Sequence, residues 1–157
     1  MRFLYLILLL LFFSCQEKKM TKVPTTFESQ PSAPGLGVSL ILLGTLQDAG
    51  APQLNCTKKC CQGLFEQADS VRKVSSLGLL DFSTQKKYLF DATPDISKQL
   101  YALKKAMPTA SSSIVDGIFL THAHIGHYTG LMYLGKEAVN ATEVSVFAMP
   151  KMSSFIN

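Results

Sequence analysis

No stretch of this sequence is long and apolar enough to cross a membrane as a helix. A spanning helix needs about 20 apolar residues; the longest unbroken apolar run, Phe3 to Phe13, has 11 and is soon followed by the polar Gln16-Glu17-Lys18-Lys19. Charge of one sign is scarce too. Fifteen Lys and Arg against 11 Asp and Glu leave a net +4 at pH 7, spread along the chain, which argues against a nucleic-acid partner. There is no internal repeat. Histidine and cysteine are few, three and four residues, so their placement matters more than their number.

The N-terminal segment, Arg2, the apolar run and then Ser14-Cys15, has the layout of a secretory signal peptide. A cysteine after a small residue at the end of such a run resembles a bacterial lipoprotein cleavage site, which would make Cys15 the lipidated first residue. Phe12 and Phe13 depart from the usual smaller residues there, and ordinary secretion or a retained short anchor is the alternative. Residues 1–14 are thus expected to be a leader. Residues 15–37, rich in Lys, Thr, Ser, Pro and Gly, are expected to be a flexible tether. Once Arg2 leaves, the charge falls to about +3. This reading puts the protein at the bacterial cell envelope, periplasmic or surface-facing, and makes the membrane a partner through a lipid.

From residue 38 to residue 157 the pattern is that of a folded domain. Val38 to Leu43, closed by Gly44-Thr45, is a short apolar run of strand character. Ser76 to Phe82 and Tyr88 to Phe90 are two more strand candidates, linked by a hairpin, and the three suggest one sheet. Thr93-Pro94-Asp95 reads as a helix start with Thr93 as N-cap. The helix should run to about Met107, with Ile96, Leu100, Leu103 and Met107 on one stripe and Pro108 stopping it. Ile114 to Leu120 is the next strand, Tyr128 to Glu137 a helix, and Glu143 to Ala148 a last strand ended by Met149-Pro150. The fold class is α/β.

All three histidines, His122, His124 and His127, lie within six positions at the exit of a buried strand. Imidazole is the commonest protein ligand for zinc-like ions, and a loop after a strand can turn both residues of His-x-His toward one ion. His127 can face a second ion in the same cleft. A surface tract, core histidines or helix caps are the competing explanations, and three at this spacing make the metal site the stronger one.

The run Phe119-Leu120-Thr121-His122-Ala123-His124-Ile125-Gly126-His127-Tyr128-Thr129-Gly130-Leu131 resembles the metallo-β-lactamase superfamily signature, Thr-His-x-His-x-Asp-His followed by glycine. Tyr88-Leu89-Phe90-Asp91 resembles the strand-end aspartate that supports that metal site from behind its ligands. Leu43-Gly44-Thr45-Leu46-Gln47-Asp48-Ala49-Gly50-Ala51-Pro52-Gln53-Leu54-Asn55-Cys56 narrows the resemblance to relatives of the pyrroloquinoline quinone biosynthesis protein B, over Val38 to Asn157. It implies an αββα sandwich of which this chain supplies the first half, one or two zinc ions, and further ligands from a second half. A sheet face left bare by that half would be an apolar patch in water. Gly126 stands where the family carries an aspartate, which puts a two-metal mechanism in doubt.

Cys56, Cys60 and Cys61 form a tight cluster with three readings: a structural zinc site, as in some relatives, a disulfide, or reduced buried thiols. Gln47 and Asp48 line the cleft by family analogy or serve the turn after the first strand. Asp91 is a support of the metal site or a helix-entry residue. Asp116 reads as a solvated turn, and Tyr128 and Thr129 as pocket residues or the start of a helix. Two functions follow: a metal-dependent hydrolase of an undetermined small-molecule substrate, expected to be inactive without its second half, or a non-hydrolytic accessory protein related to quinone cofactor synthesis. Oligomeric state is left open.

Overall fold

The computed structural model describes residues 37–67, 69–108 and 114–157. The expected leader, Cys15 and residues 15–36 of the tether lie outside the described residues. The domain is one five-stranded sheet, ordered as in the sequence: β1 (Val38–Gly44), β2 (Ser76–Asp81), β3 (Lys86–Phe90), β4 (Gly117–Leu120) and β5 (Val146–Ala148). Pairs β1/β2 and β2/β3 are antiparallel, whereas β3/β4 and β4/β5 are parallel. Parallel neighbours need long crossovers. Helix α1 (Ile96–Ala106) lies between β3 and β4, and α2 (Ile125–Tyr128) with the 3-10 helix Thr129–Leu134 lies between β4 and β5. Helix α3 (Pro150–Ile156) follows β5.

The β2–β3 turn is held by one side chain. Asp81 accepts hydrogen bonds from the hydroxyls of Ser83 and Thr84 and from both their amides. These donors, Ser83 Oγ foremost, hold its carboxyl down at about 2.

Alternation along the strands sorts the sheet into two faces. One face carries Leu43, Leu80, Leu89, Ile118 and Leu120, and packs with Ile96, Leu103 and Met107 as the buried core. The expected apolar stripe of α1 is therefore present, with Leu100 partly buried beside it. Gln99 is buried as well. Its amide donates to Val74 O (2.8 Å), and Thr93 Oγ1 donates to its Oε1 (2.8 Å), which ties α1 to the segment entering β2.

The opposite face is apolar and open. Val38, Leu40, Leu42, Leu77 and Phe147 are exposed there. Phe119 stacks between Phe90 and Phe147 with ring centroids 5.1 and 4.7 Å away. Nothing among the described residues covers this surface, so the expected bare face is present.

Three local expectations are corrected. Helix α1 starts at Ile96 after Asp95, not at a Thr93 cap. The Thr93 hydroxyl accepts the Asp95 N–H and donates to Gln99, while the Asp95 carboxylate takes the Val74 N–H. The helix expected over Tyr128 to Glu137 is one short α turn followed by the 3-10 helix. Its Gly130 N–H is drawn out to Ala92 O (2.8 Å), so α-helical hydrogen bonding cannot continue. Gly130 is required for this approach, since a Cβ there would lie 2.2 Å from Thr93 O. Finally, Pro150 begins a helix at its first position instead of only ending a strand.

Candidate metal centre

Strand β4 ends at Leu120, and the chain then passes Thr121 to His124 in extended form before turning into α2. This geometry gathers the three imidazoles. His122 Nε2 lies 3.0 Å from His124 Nδ1, and the His122 and His127 ring centroids are 4.1 Å apart. His122 and His124 are exposed to solvent and His127 is largely covered.

Behind them sits Asp91, buried at the end of β3 in the left-handed backbone region with φ 65°. Such a backbone costs a non-glycine residue ~1 kcal/mol, less for Asp than for most. The surroundings hold it: Asp91 N–H donates to Phe119 O and Ala92 N–H to His127 O, each at 2.8 Å. Its carboxylate takes the Thr121 N–H (2.8 Å) and the Thr121 hydroxyl, and its Oδ2 is 2.7 Å from His127 Nδ1. Asp91 is thus a support of the histidines, not a helix-entry residue.

The hydrogen-bond network sets the tautomers. A carboxylate only accepts, so His127 Nδ1 carries a proton, and the neutral form of the ring has its lone pair at Nε2. The Thr121 hydroxyl spends its single proton on Asp91 and therefore accepts from His122 Nδ1, 2.8 Å away. His122 Nε2 is then an acceptor, and the His124 Nδ1 proton faces it at 3.0 Å. One buried carboxylate thus orients two imidazoles, His127 directly and His122 through the Thr121 hydroxyl. Thr121, the intermediary to His122, was not singled out in the sequence reading; the signal was the Thr of the Thr-His-x-His run.

The donor set fits zinc. Ligand atoms around a tetrahedral zinc with bonds of 2.0–2.1 Å lie about 3.4 Å apart, close to the observed His122–His124 nitrogen separation. The loop after β1 adds a carboxylate: Asp48 Oδ2 is 3.1 Å from His124 Nδ1. Gln47 closes its own turn instead, with its amide group donating to Gly50 O and accepting from Ala49 N–H. Asp116 bridges strands, accepting the Lys87 N–H while its own N–H donates to Lys87 O. Tyr128 packs edge-on against Phe155, and the Thr129 hydroxyl donates to Ile125 O. A groove of about 500 Å³ runs from Leu42, Leu77 and Phe90 on the open face to Asp91 and Thr121.

Cys56, Cys60 and Cys61 are free thiols with their sulfur atoms within 4.8 Å of one another. Among the described residues no fourth Cys, His, Asp or Glu joins them. The Cys61 thiol lowers the pKa of Cys56, which in turn raises that of Cys61. Gln53 N–H donates to Cys61 Sγ.

Exchanging the carboxylate for an amide tests the tautomer network. In Asp91→Asn an amide N–H faces His127 Nδ1, which turns the ring proton to Nε2. Zinc affinity read from imidazole NMR shifts should fall ~10–100-fold, and urea unfolding should show a loss of ~1–3 kcal/mol. Unchanged zinc shifts in a folded Asp91→Asn variant would contradict this network.

Comparison with known proteins places this geometry. Residues 86–156 match the beta-lactamase superfamily domain. The coenzyme PQQ synthesis protein B of Rhodopseudomonas palustris strain TIE-1 is 26% identical over 120 residues, covering 74% of this chain and 37% of that protein. That of Klebsiella pneumoniae strain 342 is 39% identical over 99 residues, covering 59% and 31%. The crystal structure of Zn(2+)-bound PqqB from Methylobacterium extorquens superposes with a TM-score of 0.56 at 24% identity, over 74% of this chain and 39% of the other. A diphosphatase from the PhnP family gives 0.50 at 24% identity, over 74% and 44%. The chain spans about a third of the length of the curated relatives it matches. The chain has a metallo-β-lactamase fold and resembles coenzyme PQQ synthesis protein B over part of that protein's length.

Proposed function

We propose that this protein is a zinc-dependent hydrolase of a small ester, amide or phosphodiester. The observation that carries the reading is the pairing of His122 Nε2 and His124 Nδ1 at 3.0 Å, with Asp91 fixing the proton positions behind them. His122, His124 and His127 are the residues that would hold the metal. When bound, zinc supplies Lewis-acid polarisation and a nucleophile available near neutral pH. The chain's own residues do the positioning: Asp91 and Thr121 orient the rings, and the groove beside Thr121 offers an apolar wall to a substrate. The structural relatives described as Zn(2+)-bound and as a diphosphatase support zinc and this class of chemistry.

An accessory role in synthesis of a quinone cofactor is the second reading. Gly126, where the superfamily motif has a metal-binding aspartate, and the similarity to coenzyme PQQ synthesis protein B favour it. Two further proposals belong to the same protein. Cys56, Cys60 and Cys61 hold a structural zinc, supported by the approach of their sulfur atoms. The leader ending at Ser14 directs the chain to the bacterial envelope, where Cys15 carries a lipid and residues 15–37 tether the domain.

Each proposal has its own measurement. Zinc-loaded protein that carries the second half of the fold should turn over one of a panel of generic phosphodiester, ester and lactam substrates. Chelation, His122→Ala or His124→Ala should each cut that rate at least ~100-fold. Zinc held at the histidines with no turnover across the panel would favour the accessory role; turnover that survives chelation would remove the metal from the reaction. Thiol titration should find the three cysteines protected until a chelator is added, whereas release by reductant alone would show a disulfide. In bacterial cells, labelled fatty acid should enter the parent chain and be lost in Cys15→Ala. Label retained in that variant would overturn lipidation.

A further inference from the structure

Gly126 leaves the motif without its carboxylate, and the structure shows what fills the space. A Cβ built on Gly126 would lie 2.0 Å from Asp48 O and 2.5 Å from both Asp48 C and Cα. No rotamer change relieves that contact, because the opposing atoms are backbone. Gly126 is buried, and the 47–50 turn is closed against it by Gln47, whose side chain bonds Gly50 O and Ala49 N–H. Asp48 is thereby held over the histidine loop with its carboxylate on His124 Nδ1 (3.1 Å), the nitrogen that also faces His122 Nε2 (3.0 Å).

We propose that Asp48 is a metal ligand supplied by the loop after β1 in place of the carboxylate missing at position 126. The absence of a side chain at 126 and the presence of a carboxylate at 48 are two halves of one arrangement. The glycine admits the Asp48 backbone, and the admitted residue returns an oxygen ligand to the same cluster of nitrogens. The chemistry suits the ion: zinc sites take Asp oxygen beside His nitrogen. The separation of 3.1 Å is near the spacing of two ligands on one tetrahedral ion, about 3.4 Å. His124 Nδ1 is the atom that the two approaches share, one from Asp48 Oδ2 and one from His122 Nε2.

This inference rests on the zinc reading above, and the experiment separates the two. The parent chain, Asp48→Asn, Gly126→Asp and Gly126→Ala are titrated with zinc alone while imidazole NMR shifts are followed, with thiol protection recorded in parallel to monitor the cysteine cluster. Asp48→Asn should raise the zinc concentration needed to shift His122 and His124 by at least ~100-fold. Its metal-free unfolding midpoint and its thiol protection should match the parent. X-ray absorption of the loaded His site should show one fewer light-atom ligand, a change that a merely orienting role for Asp48 would not produce. Gly126→Asp, although it restores the superfamily motif, should weaken zinc binding as Gly126→Ala does, because either side chain displaces Asp48.

Asp48→Asn within twofold of the parent, or an unchanged ligand number, overturns the proposal. Tighter zinc binding by Gly126→Asp overturns it as well, since position 126 would then be a vacant ligand site. If zinc shifts none of the imidazoles in the parent chain, the metal reading itself fails and this inference fails with it.

Discussion

The buried carboxylate of Asp91 is the constraint on which the rest of the site depends. It joins the end of β3 to a loop 30 to 36 positions further on, at Thr121 at the exit of β4 and at His127 in α2. A charged group is left in so covered a place only where its acceptors are used. Here a backbone amide, a hydroxyl and an imidazole use them. The left-handed backbone at Asp91 is maintained by hydrogen bonds on both sides, to Phe119 and to His127 through Ala92. Removing the carboxylate therefore loosens strand ends and ligands together.

The parallel pairing of β3, β4 and β5 explains why the histidines appear where they do. Parallel strands deliver their C-terminal ends to the same edge of a sheet, and ligand-binding loops gather at that edge. Asp91 and Thr121 both lie just past such ends. The antiparallel β1 and β2 run alongside, and the loop after β1 brings Asp48 to the same place. Packing of α1 on one face, secured by Gln99 and Thr93, fixes the sheet behind the site. The other face, with its stacked Phe90, Phe119 and Phe147, remains apolar and uncovered among the described residues. The groove that reaches Asp91 and Thr121 begins on that face.

Two clusters of metal-ligating residue types share this domain but differ in character. The histidine cluster is open to solvent and organised by hydrogen bonds from behind, as a site for exchangeable ligands requires. The cysteine cluster lies in the β1–β2 connection with Cys61 buried and no fourth Cys, His, Asp or Glu beside it among the described residues. Gln53 and the 47–50 turn lie between the two clusters on the same connection, so order in the loop bears on the position of Asp48.

Local pattern was enough to reveal the five strand cores, the apolar stripe of α1 and the gathering of histidines at a strand exit. Each is written in neighbouring residues, as alternation, helical spacing or a motif. Local pattern misled at Thr93, at Tyr128 to Glu137 and at Pro150, where a helix boundary was decided by competition for hydrogen bonds. Val74 claims the Asp95 carboxylate, and Ala92 claims the Gly130 amide. Gln47 and Asp48 could not be told apart in the sequence, since both are ordinary turn residues. Only the folded chain separates them, by setting Asp48 against Gly126, 78 positions away. A contact of that range leaves no trace in local periodicity, because it is created when the sheet brings two loops to one edge.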